Sequence, residues 1–207
     1  MNPGMDYTRD VAFWCSWDMY RFGFKPASII SAGVGSAPEM YIWRWLFPNI
    51  PILAVDPKPL MAKFTRGDWS QLTFVQSAVG DGNSSSAYLC RDCVSLVCKD
   101  QSSHQSRGRW SETPVSTLDK LAEKFPSPYF VWMDIEGYEL RALRGASAML
   151  SKTDWLCVEL TNWVPRHKKK VTAFLESSGF VLRRKFDHDG LFSKPIKRGR
   201  RTRGLTR

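Results

Sequence analysis

The sequence predicts an α/β domain with a doubly wound, mostly parallel β-sheet that ends in an antiparallel strand pair. Two patterns carry this prediction. Short apolar runs typical of buried parallel strands alternate with segments of helical period, and the last two strand-like runs follow one another directly. The chain has 207 residues, 43% of them hydrophobic, which suits one core. We therefore expect a single domain over residues 1–193 and a basic tail over residues 194–207.

The first element is a helix within an N-terminal helical segment over residues 1–25. Between residues 8 and 22, Phe13, Trp14, Trp17 and Tyr20 recur at helical spacing, so we expect these aromatic side chains to face the core. The elements that follow are strand 28–32, helix 40–47, strand 52–55, helix 59–66, strand 72–79, helix 117–125, strand 129–135, a helix carrying Leu140, Leu143 and Leu150, strand 155–160, helix 168–178, and a hairpin of 180–186 with 191–193 around Asp189-Gly190.

Residues 84–113 interrupt this alternation. They are rich in Ser, Arg and Cys and show no clear period, which predicts a long, irregular, variable loop. Loops of this length in a compact domain usually carry function, so we expect the stretch to border a binding site.

Residues at the carboxyl ends of the strands are the candidates for ligand binding, because ligands of an open parallel sheet bind beyond those ends. Gly33 and Gly35 follow the first strand, where missing side chains and a helix N-terminus favour a ligand, although a plain tight turn explains them as well. Asp56 ends the second strand 23 positions after Gly33, near the spacing of roughly 20 at which an acid binds ribose hydroxyls. Pro38 leaves the pyrophosphate fingerprint incomplete. The pattern therefore indicates a nucleoside-containing cofactor that need not be a dinucleotide.

Two further strand ends carry polar residues. Ser77 and Ala78 lie at the end of the third strand, where an adenine ring would lie if Asp56 held the ribose. Asp134 and Glu136 stand two positions apart, which in an extended strand places both carboxylates on one face for ligand binding or proton transfer. Glu136 could instead be a helix-start acid that the helix dipole stabilises. Glu159 adds a third carboxylate near the end of the next strand.

Several segments resemble the hallmark segments of FkbM-type methyltransferases. The closest are Ser116-Thr117-Leu118-Asp119, Val131 to Leu140 around Asp134-Ile135-Glu136-Gly137, Leu143-Arg144-Gly145-Ala146 and Val158-Glu159-Leu160, and the cofactor-side matches are Ala54 to Pro59 and Ala78 to Gly82. This resemblance implies a Rossmann-like class I methyltransferase fold, S-adenosyl-L-methionine (SAM) as methyl donor, and O-methylation of a hydroxyl on a small acceptor, commonly a sugar or a polyketide-like molecule.

The resemblance also implies roles. Gly33 and Gly35 would border the methionine moiety, Asp56 would hold the ribose, and Asp134 would lie beside the reacting methyl. The expected cofactor-binding set is Gly33, Gly35, Asp56, Pro57, Ser77, Ala78 and Asp134. The expected catalytic set is Asp134, as the group that orients or deprotonates the acceptor hydroxyl, with Glu136 and Glu159 behind it.

The chain departs from the family pattern at Ser31. The family often has an acid at this position, which puts the orientation of the glycine turn in doubt. Glu39 is the candidate to take over that role.

A zinc site is the first competing interpretation. Cys90, Cys93, Cys98 and His104 supply four ligands of the type zinc prefers. A single C-x-x-C with irregular remaining spacing is weak evidence, so we expect no metal.

Basic clusters support a second competing interpretation. The net charge is +10, and seven of the thirty Lys and Arg residues lie in the tail, with further clusters at 166–170 and at Arg107, Arg109 and Trp110. A nucleic acid is therefore an alternative partner, and an RNA or DNA methyltransferase the alternative function. A catalytically silent binding module is the third possible function. The absence of a long apolar run predicts no membrane partner, and the five Cys without secreted-protein spacing predict a cytoplasmic location.

Overall fold

The computed structural model describes residues 7–35, 37–59, 64, 69–90, 96–98, 110–160 and 166–195. Its helices are α1 (Tyr7–Arg21), α2 (Pro38–Leu46), α3 (Leu118–Ala122), α4 (Glu139–Arg144), α5 (Ser147–Ser151) and α6 (His167–Ser177). Its strands are β1 (Ser28–Ala32), β2 (Ile52–Asp56), β3 (Leu72–Gln76), β4 (Ala78–Val79), β5 (Ser86–Cys90), β6 (Leu96–Cys98), β7 (Trp110–Ser116), β8 (Tyr129–Met133), β9 (Thr153–Glu159), β10 (Val181–Lys185) and β11 (Asp189–Ser193).

The large sheet has seven strands in the order β10-β11-β9-β8-β1-β2-β3. Strands β1, β2, β3, β8 and β9 pair in parallel, whereas β11 pairs antiparallel with both β9 and β10. The predicted doubly wound sheet with a closing antiparallel pair is confirmed. The chain builds outward from β1 in one direction and then from β8 in the other, so the switch in strand order lies between β1 and β8.

Helices cover both faces of this sheet. On one face α1 and α2 pack against the side chains of Phe130 and Trp132. On the other face α3 to α6 pack against Val131 and Met133. Alternate residues of β8 therefore supply the two cores, as the two-residue period of a strand requires, and the strand is buried along its whole length.

The prediction of an irregular loop over residues 84–113 is wrong for the part of this stretch that is described. Strands β5, β6 and most of β7 lie in it, and with β4 they form a second sheet in the order β4-β7-β5-β6. Ala87 and Leu89 are buried while Ser86 and Tyr88 are partly exposed, so a strand period exists there. The many Ser and Cys residues hid that period. The predicted third strand also divides at Ser77, and its two parts join different sheets.

The prediction that the aromatic face of α1 points to the core is wrong. Phe13, Trp14, Trp17 and Tyr20 are exposed, and the helix instead buries its opposite side, which consists of Val11, Ala12, Cys15, Ser16, Asp18 and Met19. Both faces of α1 are largely apolar, so periodicity alone does not decide which one is buried. The smaller side chains allow the helix to lie closer to the sheet.

Two element boundaries also differ from prediction. The helix expected to carry Leu140 to Leu150 breaks into α4 and α5 at Gly145, where a Cβ would lie 2.2 Å from the Gly80 carbonyl oxygen. The hairpin turns before Asp189, because Asp189 and Gly190 already pair with β9. The helix predicted over 59–66 lies almost wholly outside the described residues, and so does the tail beyond residue 195.

Candidate active site

A cavity of about 300 Å³ opens at the carboxyl ends of β1, β2 and β8. Its size is at the lower end of the range for small-molecule sites. All seven residues of the predicted cofactor-binding set line it: Gly33, Gly35, Asp56, Pro57, Ser77, Ala78 and Asp134. Glu136 also lines it, whereas the predicted Glu159 lies beyond its wall, within hydrogen-bonding reach of Asp134.

Asp56 holds the glycine turn in place. Its side chain is 5% exposed, and its Oδ2 accepts hydrogen bonds from the backbone N–H groups of Val34 (3.0 Å) and Gly35 (3.1 Å). Its Oδ1 accepts a third from the N–H of Lys58 (2.8 Å). Because a carboxylate offers about four acceptor positions, one remains for a ligand hydroxyl.

The carboxylate of Asp56 therefore orients the glycine turn, the role expected of an acid at the position of Ser31. The Ser31 hydroxyl is fully buried and has no hydrogen-bond partner in the described part of the chain. Glu39, the predicted substitute, is buried in the cavity wall. The turn is oriented from the end of β2 and not from within β1.

Gly33 brings the ends of β1 and β8 into direct contact. Its φ is +81°, and a Cβ at this position would lie only 1.6 Å from the carbonyl oxygen of Asp134. Backbone hydrogen bonds on either side hold this approach, from Gly33 N–H to Val55 (2.9 Å) and from Asp134 N–H to Ala32 (2.9 Å). A side chain at residue 33 would thus displace the strand end that presents Asp134.

The segment after β8 is a turn with two left-handed residues. β8 ends at Met133, so Asp134 and Glu136 do not share a strand face as predicted. Glu136 has φ +57° and Gly137 has φ +93°, and this turn brings both carboxylate residues to the cavity. The left-handed conformation of Glu136 destabilises the folded state by about 1 kcal/mol relative to an ordinary backbone conformation. Strained residues of this kind are concentrated at functional sites.

Glu139 and His167 brace this turn, and neither was predicted as a site residue. Glu139 Oε1 accepts hydrogen bonds from the N–H groups of Ile135 (3.0 Å) and Gly137 (3.2 Å). Its Oε2 lies 2.6 Å from Nε2 of His167. The two side chains are 0% and 4% exposed. The helix-start role considered for Glu136 thus belongs to Glu139, the first residue of α4, where the helix dipole stabilises an acid.

Glu139→Ala is expected to lower the free energy of unfolding by about 3 kcal/mol, because it leaves two backbone N–H groups without their acceptor and removes the carboxylate that lies against the buried imidazole of His167. Urea unfolding measures the effect. Glu176→Ala, at an exposed position of α6, is the matched control and should change stability little. Equal stabilities of the two variants would contradict the bracing role.

The carboxyl groups of Asp134 and Glu159 lie within hydrogen-bonding reach of each other, so a proton on one can be shared with the other. Burial is the largest cause that raises the pKa of Asp134 to about 7, and a hydrogen bond with Glu159 opposes the rise. Burial, and then the charge of Asp134, raise the pKa of Glu159 to about 8. Three further carboxylates contribute to the raised pKa of both groups: Asp189, Glu136 and Glu139. Asp189 was expected in a turn but lies opposite Glu159 on β11.

These two raised pKa values predict that stability falls as pH rises. Their ordinary values are 3.8 for Asp134 and 4.5 for Glu159, so between those values and about 7 to 8 the folded state binds more protons than the unfolded state. Their contribution is complete below about pH 4 and is lost as pH rises through 7 and 8. Urea unfolding of wild type and Glu159→Gln at pH 5, 7 and 9 measures it. The variant should lose less stability over this range, and parallel losses would contradict the shared proton.

The second sheet also contributes to the cavity. Leu89 of β5 lines it. From the sequence, residues 84–113 were expected to border a site, but they were assigned to a loop, so a strand residue lining the cavity was not predicted. The Ser77 hydroxyl lies 2.8 Å from the carbonyl oxygen of Ala78 and 3.1 Å from that of Pro114, and can donate to either. Ser77 therefore ties the cavity wall to β7 through its side chain.

The zinc interpretation falls mostly on residues that are not described. Cys93 and His104 lie outside the described residues, as do Arg107 and Arg109, and Cys90 and Cys98 are described only as strand positions. Within the described ranges no group of three or more His, Cys, Asp or Glu could hold a metal ion. Likewise, no described helix is long and apolar enough to cross a membrane.

The family model described as "Methyltransferase FkbM domain" matches residues 44–182. Among solved structures, magnesium protoporphyrin IX methyltransferase from Synechocystis PCC 6803 with bound SAM is similar at a TM-score of 0.50 and 12% identity, over 91% of this chain and 79% of that one. Precorrin-6y C5,15-methyltransferase from Geobacter metallireducens GS-15 is similar at 0.51 and 12%, over 95% and 92%. No curated protein matches significantly. With a Rossmann-like methyltransferase sheet and a family match across most of its length, the chain belongs to the FkbM methyltransferases.

Proposed function

We propose that this protein is a SAM-dependent O-methyltransferase that acts on a hydroxyl of a sugar or another small acceptor. One observation carries the proposal. The cavity at the switch point brings the predicted cofactor-binding residues together with Asp134, whose carboxyl group lies within hydrogen-bonding reach of Glu159 behind the cavity wall.

The residues around the cavity fit SAM. A Cβ at Gly35 would meet nothing within 4 Å, so the turn is open to the methionine moiety. Asp56 has one acceptor position left for a ribose hydroxyl. Apolar lining residues suit an adenine ring: Val55, Ala78, Val79 and Leu89. Gly33, Gly35, Asp56, Ser77 and Ala78 are accordingly among the residues that would hold the cofactor.

The chain's own part in the reaction is alignment and proton removal. Bound SAM supplies a methyl group activated by its sulfonium. During transfer of that methyl, Asp134 would orient the acceptor hydroxyl and take up its proton. A hydrogen bond with the carboxyl group of Glu159 lowers the pKa of Asp134 and so favours the ionised form of Asp134.

The charge around Asp134 supports a small, uncharged acceptor. Asp134, Glu136, Glu139, Glu159 and Asp189 interact electrostatically with one another at this end of the sheet. Such a cluster repels the phosphates of a nucleic acid near the reacting atom. The net charge of +10 favours the alternative, an RNA or DNA methyltransferase.

Transfer of a labelled methyl from SAM to a panel of acceptors tests the proposal. The panel holds neutral sugars, small polyketide-like alcohols, and RNA and DNA oligonucleotides, each assayed at low and high salt. Labelling of a small hydroxyl compound with little salt dependence is expected. Salt-sensitive labelling of an oligonucleotide alone would replace the proposal with the alternative. Absence of SAM binding would exclude both methyltransferase functions and leave the third possibility, a catalytically silent binding module.

A further inference from the structure

The solvent face of α1 exposes a stripe of large aromatic side chains. The exposed fractions are 37% for Phe13, 44% for Trp14, 44% for Trp17 and 74% for Tyr20. Positions 13, 17 and 20 follow one side of the helix at spacings of four and three, with Trp14 beside them. Scattered exposed apolar residues are ordinary, but a contiguous aromatic stripe usually marks a surface that binds a partner.

Positive charge surrounds this stripe. The guanidinium of Arg184 lies 5.6 Å from the ring centroid of Trp14, and that of Arg183 lies 6.0 Å from the ring of Phe22. Exposed basic residues follow at the end of α1 and just after it, in Arg21 and Lys25. Of the two acids on α1, Asp18 is buried and paired with Arg184 at 2.7 Å, which leaves the partly exposed Asp10 as the other. A partner for this surface therefore has both apolar and anionic parts.

We propose that the aromatic face of α1 and its basic border bind the surface of an anionic lipid bilayer. Trp, Tyr and Phe side chains partition into the interface between headgroups and acyl chains, and basic residues nearby contact the lipid phosphates. Such a helix lies on the membrane and does not span it. The expectation of no membrane partner rested on the absence of a segment long enough to span a bilayer. These rings were also expected to face the core, where they could not contact lipid.

A nucleic acid fits this surface less well. Base stacking requires free ring faces, and the faces of Trp14 and Phe22 already have a guanidinium over them. Burial in lipid needs no particular ring face. The stripe also lies along the convex side of a helix of 15 residues, about 22 Å long, whereas single strands are usually held in a basic groove.

Vesicle co-sedimentation of the full chain, without cofactor, tests this inference. The vesicles are phosphatidylcholine mixed with phosphatidylglycerol, compared with pure phosphatidylcholine. Wild type is expected to bind the anionic vesicles more tightly. Trp17→Ser with Tyr20→Ser should weaken that binding by about tenfold or more, because both rings lose their burial in the interface.

Charge variants give a matched control. Arg21→Gln with Lys25→Gln should reduce the preference for anionic vesicles. Lys120→Gln with Lys124→Gln removes two exposed charges at and just after α3, which packs on the opposite face of the sheet, and should leave binding unchanged. Wild-type urea unfolding midpoints in all three variants show that their folds are intact, as their exposed positions predict.

Three results would overturn the inference. The first is wild-type binding by the Trp17 and Tyr20 variant. The second is no binding to anionic vesicles together with binding to a labelled oligouridylate that the same variant loses. The third is a concentration-dependent doubling of mass in light scattering that this variant abolishes, since the stripe would then join two copies of the chain.

Discussion

Replacing Asp134 with asparagine is expected to lower methyl transfer by about 10²- to 10⁴-fold while the protein stays folded. The amide keeps the size of the side chain but cannot accept the hydroxyl proton. The exchange also removes a charge that the buried, acidic surroundings disfavour, so the variant should be no less stable than wild type at pH 8. Single-turnover transfer of a labelled methyl to the acceptor found in the panel measures the loss. Turnover at the wild-type rate would remove Asp134 from the mechanism.

Glu159→Gln is the matched control for Asp134→Asn. Wild-type activity should rise with pH through about 7, as the carboxyl group of Asp134 loses its proton. A glutamine at 159 can donate to Asp134 permanently, so this variant should keep most activity and move the midpoint of the pH profile to lower pH. A profile that does not move would contradict the pairing of these two carboxyl groups.

Gly33→Ala is expected to lower the free energy of unfolding by about 3 kcal/mol or more and to weaken SAM binding. The added methyl collides with the Asp134 carbonyl oxygen, which belongs to the backbone and has no rotamer to escape into. Relief requires β1 and β8 to move apart at the switch point. Urea unfolding and a cofactor titration measure the two effects.

Gly179→Ala separates this collision from backbone strain. Gly179 has φ +86°, close to the +81° of Gly33, but a Cβ there would meet nothing within 4 Å. Gly179→Ala should therefore lower the free energy of unfolding by about 1 kcal/mol, the cost of the left-handed conformation alone. Equal losses in the two variants would show that the close approach of β1 and β8 contributes nothing.

The sheet and the location of the site follow from local sequence patterns. Buried parallel strands such as β2 and β8 are continuous apolar runs, and their carboxyl ends meet at one edge whatever the helices between them do. This is why residues as distant in sequence as Gly33, Asp56 and Asp134 could be assigned to one cavity.

What the sequence does not predict depends on tertiary contacts. The buried side of α1 is not predicted because both of its faces are apolar, and the strands β5 and β6 are not predicted because they are short and lie among many Ser, Arg and Cys residues. His167 stands in a basic run that reads as a solvated surface, yet its ring is buried against Glu139. Asp56 braces a turn 21 residues away through its carboxylate, and no spacing rule distinguishes that role from ribose binding.

Titration calorimetry of the full chain with SAM tests the central claim most directly. We expect one bound molecule per chain, competition by S-adenosylhomocysteine, and a large loss of affinity in Asp56→Ala, because that variant frees the N–H groups of Val34 and Gly35 and removes the ribose acceptor. Asp187→Ala, whose side chain is 71% exposed, should bind as wild type does. Absence of binding by the folded wild-type protein to either compound would contradict the account.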